Sequence, residues 1–212
     1  REFKDLKIEE ARKKIIEKAN ELGLLKTKKD IVHTVNTHDK CETPVEFLSK
    51  PQWFLRVMDI KNELIARADE INWYPAFMKN RYTDWVRNLA WDWCLSRQRF
   101  YGVPIPVWFC RACGNFMLPN EEDLPVDPMT DKPPQNKCPA CGGSDINPET
   151  DILDTWATSS LTPEINFRWK EPDERKNLSP MNLRSQAHEI IRTWTFYTIV
   201  KSHLHHNSIP WR

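Results

Sequence analysis

Residues 104–148 constrain the fold more than any other part of the chain. Nine of the sixteen prolines fall there, and large aliphatic side chains are few beyond Leu118. Such a stretch cannot bury enough apolar surface to offset the entropy of ordering it. Something other than a hydrophobic core must hold it. The same stretch carries two doublets, Cys110-Arg-Ala-Cys113-Gly114 and Cys138-Pro-Ala-Cys141-Gly142-Gly143, separated by residues 114–137. Two residues between thiolates let both sulfurs face one ion, and the glycine after each pair permits the positive φ that the turn needs. Four thiolates fill a tetrahedral shell and leave no position for a reactive water. Cys110, Cys113, Cys138 and Cys141 therefore read as a structural zinc site, not a hydrolytic one. In zinc-finger peptides the metal contributes roughly 10–16 kcal/mol at neutral pH, ample for a loop that cannot hold itself.

The remaining totals mostly exclude. Hydrophobic residues make up 40% and charged residues 29%, as in ordinary globular domains. Lys plus Arg is 31 and Asp plus Glu is 30, so net charge gives no nucleic-acid footprint. No apolar run is long enough to span a membrane, and no signal peptide is visible. The six cysteines, in a charged chain without secretory marks, point to metal and not disulfides. Of the five glycines, three follow a Cys-x-x-Cys pair, so none is left for a Gly-rich phosphate loop. The chain opens at Arg1 within a charged helical pattern, which reads as an internal segment of something longer.

Periodicity predicts a helix over 6–22, with Ile8, Ala11, Ile15, Ala19 and Leu22 on one face and Gly23 as its left-handed cap. Ile31–Val35 has a strand-like composition. His38-x-x-Cys41 looks like half a knuckle, but no second half lies nearby, and an ordinary turn is the better reading. Residues 52–57 suit a short buried strand. A helix over 59–70 follows, with Asp59 as N-cap and Glu63–Arg67 as an i,i+4 pair. A second helix, 78–90, places Tyr82, Trp85, Val86 and Leu89 on one face. After the proline-rich stretch come a short strand at 151–156, a loop at 167–181, a strand at 181–186 and a long helix from Ala187 to His206. Strands alternating with helices predict an α/β fold. His203, His205 and His206 fall near that helix's end, where cationic imidazoles suit the dipole better than they suit a metal. Cys41 and Cys94 read as plain buried thiols.

Three segments together resemble one family, the class I aminoacyl-tRNA synthetases of the Val/Ile/Leu subgroup. Residues 80–110, NRYTDWVRNLAWDWCLSRQRFYGVPIPVWFC, resemble the stretch that returns from the editing insertion and leads through a basic turn into a zinc knuckle. Asp151-Ile-Leu-Asp154-Thr-Trp156 looks like the family's Asp-x-x-Asp-Thr-Trp segment, and its Ala-Thr-Ser-Ser-Leu-Thr continuation most resembles the archaeal valyl type. Residues 184–199, RSQAHEIIRTWTFYTI, look like a strand-to-helix corner of the class I nucleotide fold, and TPVEF…QWFLRV matches the junction leaving the editing domain. The resemblance covers essentially the whole chain. It implies the second half of a Rossmann-type adenylation fold with an inserted four-cysteine zinc knuckle. The expected segments are an editing-insertion tail (1–50), a return into the catalytic domain (51–103), the knuckle (104–148) and half of the nucleotide-binding fold (149–212).

By that resemblance Trp93 and Trp156 wall the amino-acid side chain, as a branched aliphatic substrate requires; the alternative is two core tryptophans. Such pockets discriminate poorly against isosteres, valine against threonine being the known instance, which is why editing accompanies them. Asp154 is expected to position substrate or adenylate, or else to cap a turn. His188, Glu189 and Ile190 are expected at the nucleotide, where a helix N-terminus offers free amides. The family often has Gly-x-Asp where this chain has Ala187-His188-Glu189. Ser96-Arg97-Gln98-Arg99 either fixes a buried turn or faces the tRNA acceptor end. The implied partners are valine, ATP with Mg²⁺ and tRNA(Val), the implied location is cytoplasmic, and no oligomer is predicted. The family's HIGH and KMSKS sequences are absent here, so the segment alone is not expected to aminoacylate. An isoleucyl or leucyl relative, or a zinc-ribbon nucleic-acid module, are the rival readings. The ribbon gives no reason for paired tryptophans, and Thr155 with Ala157-Thr158-Ser159 argues for valine.

Overall fold

The computed structural model describes residues 2–167 and 179–212, so most of the loop expected at 167–181 lies outside the described residues. The chain divides into two units, 1–50 and 51–212.

In the first unit a helix, α1 (Ile8–Glu21), takes the predicted place. It ends as its sequence requires: Gly23 sits at φ +67°, and the Leu24 amide reaches back to the Ala19 carbonyl. Arg12 on this helix pairs with Glu46 at 2.7 Å. Strand composition at Ile31–Val35 does not become a strand. The nearest pairing is a small hairpin, in which Thr37 bridges Pro44 around a turn with Glu42 at φ +56°; Cys41, expected to be buried, is exposed in that turn, because no apolar face covers it. β-propensity describes fit to a pleated surface, and no described segment offers 31–35 a ladder to join.

The second unit has a helical core. β1 (Phe54–Leu55) pairs antiparallel with β2 (Trp93–Cys94). A 3₁₀ turn (Met58–Ile60) leads into α2 (Lys61–Asp69), and α3 (Met78–Arg87) packs on it. Val57, Leu64, Tyr82, Val86, Phe196 and Ile199 are at most 1% exposed and form the centre of this core. The Tyr82 hydroxyl donates to the Leu64 carbonyl at 3.2 Å, which lets a buried phenol stay satisfied. Two local expectations fail. Asp59 does not cap α2; its carboxylate pairs with Arg56. The open amides of Val57 and Met58 donate instead to Asp92, 34 or more residues away, at 2.9 and 3.0 Å. Arg67 pairs not with Glu63 but with Glu70, at 2.7 Å, and its guanidinium also donates to Asn207.

β3 (Ser96–Arg97) leads out of the core into the proline-rich excursion, and β7 (Ile152–Leu153) brings the chain back antiparallel to it. Between them β4 (Trp108–Cys110) is flanked by β5 (Phe116–Met117) and β6 (Ile146–Pro148). Gly102 is where the outgoing and returning chains meet: a Cβ there would lie 2.1 Å from Ile152 Cδ1. Two short helices follow, α4 (Thr155–Ser159) and α5 (Thr162–Asn166). The predicted strand at 181–186 contracts to a single parallel bridge between Met181 and Trp211. The predicted long helix opens as a 3₁₀ turn (His188–Ile190) and a π turn (Ile191–Thr195), and becomes regular only as α6 (Phe196–His206). Ile190, Ile191, Thr193 and Thr195 are β-branched and crowd the preceding turn. Among the described residues no helix is long and apolar enough to cross a membrane.

Candidate functional sites: a cysteine knuckle and an aromatic hollow

The two Cys-x-x-Cys doublets fold into near-identical turns. Gly114 N–H donates to the Cys110 carbonyl and Gly142 N–H to the Cys138 carbonyl, each at 2.8 Å. Cys110 N–H donates to Asn115 and Cys138 N–H to Gly143, again at 2.8 Å. Gly114 and Gly142 sit at φ +74° and +72°, as the spacing required. Across the pseudo-symmetric pair, Cys110 and Cys141 sulfurs are 3.5 Å apart and Cys113 and Cys138 sulfurs 3.6 Å. All four sulfurs lie within 4.8 Å of one another, a group that could hold a metal ion. Cys110 and Cys138 are buried, whereas Cys113 and Cys141 face outward. Gly143 closes the floor: a Cβ there would stand 3.3 Å from the Cys141 sulfur and 3.5 Å from that of Cys110.

The thiols cannot ionise independently at such distances. Burial raises the Cys138 thiol, but the amides of Cys141 and Ala140 and the neighbouring thiols bring it down to about 7. At Cys113 the Asn115 amide pulls downward, yet the other cysteines and desolvation push it up to about 12. The four sulfurs cannot all be ionised at once without a counter-charge. A divalent cation removes that conflict, because it lets all four ionise together.

The second site lies on the helical core. A cavity of about 200 Å³ is lined by Trp85, Asp92, Trp93, Arg97 and Tyr197, together with Val57, Leu89, Trp91, Cys94 and Phe196. Trp93, only 4% exposed, stacks flat on Tyr197 with ring centroids 3.8 Å apart. The indole N–H groups of Trp85 and Trp93 are both buried and without hydrogen-bond partners. Burial raises the Tyr197 phenol, and the nearby Asp154 carboxylate raises it further.

Asp154 stands at the N-cap position of α4, but its side chain makes no capping hydrogen bond. Its buried carboxylate turns to Arg97, with Arg97 Nη2 3.2 Å from Oδ2. The contact is an ion pair without hydrogen-bond alignment, so Oδ2 remains without a hydrogen-bond partner. Arg97 also donates to the Cys94 and Ser96 carbonyls, which fixes its guanidinium beside the hollow. The β3–β7 ladder is what joins these two groups, since it sets Arg97 opposite Ile152, two residues before Asp154. Trp156 is half-buried and packs against the core, and of the three residues expected around the substrate only Trp93 lines this cavity; Asp154 and Trp156 do not.

His188, Glu189 and Ile190 lie together in the 3₁₀ turn ahead of α6, with His188 Nδ1 3.7 Å from the Glu189 carboxylate. Of the three, His188 borders a separate, larger cavity of about 540 Å³, together with Trp73, Tyr74, Arg184, Gln186 and Arg212. The buried Gln186 Oε1 there has no hydrogen-bond partner.

Sequence reasoning missed Tyr197 and Asp92. Asp92 carried the visible signal of a lone acid between two tryptophans, Trp91-Asp92-Trp93; Tyr197 was hidden in the apolar face of a helix.

Comparison with known proteins adds the family. Residues 2–212 match the family model described as tRNA synthetases class I (I, L, M and V). The chain is 48% identical over 206 residues to a valine--tRNA ligase of Thermoplasma volcanium, covering 97% of this chain and 26% of that protein. It is 47% identical to the valine--tRNA ligase of Pyrococcus horikoshii, covering 99% and 25%, and 44% identical to that of Rickettsia conorii, covering 98% and 26%. The chain thus spans about a quarter of the length of the relatives it matches.

Proposed function

The chain belongs to the class I tRNA synthetases, and from that premise we propose that it supplies the zinc knuckle and part of the activation site of a valine-tRNA ligase. Such an enzyme joins valine to ATP as an adenylate and passes the valyl group to tRNA(Val). The observation that carries this reading is the 43–48% identity to archaeal and bacterial proteins of that name, over nearly all of the chain. The geometry supports it in three places.

The hollow beside Trp93 suits a small amino acid. It has rigid aromatic walls, little volume and convergent polar groups. Asp92 and Arg97 bring the charged groups to its lining, with Arg97 fixed by the Cys94 and Ser96 carbonyls. Trp93 packs the side chain; Asp154, paired with Arg97 outside the cavity lining, positions the substrate's donors, and Trp156, packed on the core next to it, is the second aromatic residue assigned to the pocket.

The four cysteines hold zinc. The donor set is four thiolates in two matched turns, the chemistry that selects tetrahedral zinc. The metal is structural: it holds the excursion so that β3 and β7 pair and bring Arg97 to Asp154.

The single parallel Met181–Trp211 bridge, with α6 lying between these two residues in the chain, is consistent with a βαβ-type connection of the nucleotide-binding half. His188, Glu189 and Ile190 would then face ATP and its Mg²⁺ at the turn before α6. The division of the chain after Lys50 supports reading 1–50 as the tail of the editing insertion. Catalysis would rest on charge stabilisation around the phosphates.

The test is binding of a non-hydrolysable valyl-adenylate analogue to a full-length relative carrying this segment. Trp93→Ala and Asp154→Asn are expected each to weaken binding at least about tenfold, one power of ten being 1.4 kcal/mol. Unchanged affinity in both would refute the pocket, and tighter binding of the isoleucyl analogue would move the assignment to the sister enzyme.

A further inference from the structure

At the opposite end of α6 a second group of metal-type ligands comes together, unrelated to the aminoacylation reading. Glu164, in the first turn of α5, is 3% exposed. A carboxylate so buried needs a cationic partner. Its two oxygens lie 3.0 and 2.9 Å from His205 Nδ1, and its Oε1 lies 3.6 Å from His206 Nε2. The three ligand atoms fall within 4.8 Å of one another. Ligands bound at about 2.0–2.2 Å in a tetrahedral shell stand about 3.4 Å apart, so the Glu164–His206 separation of 3.6 Å already suits one ion and the remaining atoms need a side-chain adjustment on the order of an ångström.

The position also favours a cation. Both histidines are in the last turn of α6, where the helix dipole is negative. Among the described residues, Lys201 of the same helix also faces Glu164. The imidazole side chains are 30% and 28% exposed, which leaves an entry path from solvent. From the sequence, these histidines read only as dipole partners, because Glu164 lies 41 residues away from His205.

We propose that Glu164, His205 and His206 form a second divalent-cation site, with two imidazoles and one carboxylate, selecting zinc, nickel or cobalt over magnesium or calcium. Three protein ligands leave at least one coordination position to water. The bound ion would clamp α5 to the end of α6.

Nickel alone is the probe. The full chain, with its cysteine site saturated by zinc, is titrated with Ni²⁺ while zinc release is followed. One further Ni²⁺ is expected per chain without zinc release, and a higher thermal midpoint. His206→Asn should lower the affinity at least about tenfold and remove the thermal shift; Glu164→Gln should do the same, and His203→Asn should do neither. Should Glu164→Gln fail to fold, the partly exposed His206 keeps the test decisive. No nickel uptake by the zinc-loaded chain, uptake matched by zinc release, or equal uptake by a His205→Asn/His206→Asn variant would each overturn the site.

Discussion

The proline-rich excursion and the helical core are parts of one unit held by different physics. Around Leu64, Tyr82 and Phe196, helices α2, α3 and α6 bury whole side chains, and α6 alone buries five residues. In the excursion, Pro128 is the only buried residue of 118–137. What order it has converges on four sulfurs and the short β5-β4-β6 sheet beside them. Burial distributes stability over many contacts, each replaceable at moderate cost; the proposed metal clamp would concentrate it in four sulfurs. The comparison teaches that damage should be local and complete in one region, and graded and global in the other.

The largest expected effect is loss of the clamp. Replacing Cys110 and Cys138 by Ser should take bound zinc from one per chain to none, removing a stabilisation of roughly 10–16 kcal/mol on the zinc-finger scale, as read by metal analysis of dialysed protein. Far-UV circular dichroism should keep the helical signal. Next is the core: Leu64→Ala or Phe196→Ala should cost about 2–5 kcal/mol in denaturant unfolding while zinc stays bound. A loss of zinc in these variants would break the distinction between the regions. Smaller is Gly102→Ala, where the new Cβ meets Ile152 Cδ1; overpacking of this kind costs about 1–3 kcal/mol, and Ile152→Val should recover part of it. Gly114→Ala, at φ +74°, should cost about 1 kcal/mol and lower zinc affinity severalfold.

The smallest effect is electrostatic. The Met58 and Val57 amides hold the Asp92 carboxyl below its ordinary range. A depressed carboxyl contributes stability that is full above its unfolded value, near pH 4, and lost as pH falls through the lower native value. Asp92→Asn should therefore flatten the acid limb of the stability–pH curve and leave its neutral part parallel to that of the parent.

How much was legible depended on whether the determinant was local. The knuckle could be read because its ligands come in fixed local spacings with glycines in register, and α1 and α3 because their periodicity is strong. Asp92 over the start of α2, Arg67 on Asn207 and Glu164 under His205 could not, since each joins residues more than 30 positions apart. The predicted strands at 31–35 and 181–186 failed for the complementary reason: a strand needs a partner, and composition does not name one. Trp93 stood out by its motif and lines a cavity, whereas Trp156, paired with it by the same resemblance, lies outside that lining; Tyr197 stacked on Trp93 did not stand out, because helical spacing shows only that a residue is apolar-facing.

The most direct measurement is hydrogen–deuterium exchange on the chain with zinc bound and after chelation. The account predicts that chelation abolishes protection across 104–148 and weakens the β3–β7 ladder, while amides of α2, α3 and α6 exchange as slowly as before. Protection unchanged in the excursion, or lost equally from α6, would contradict it.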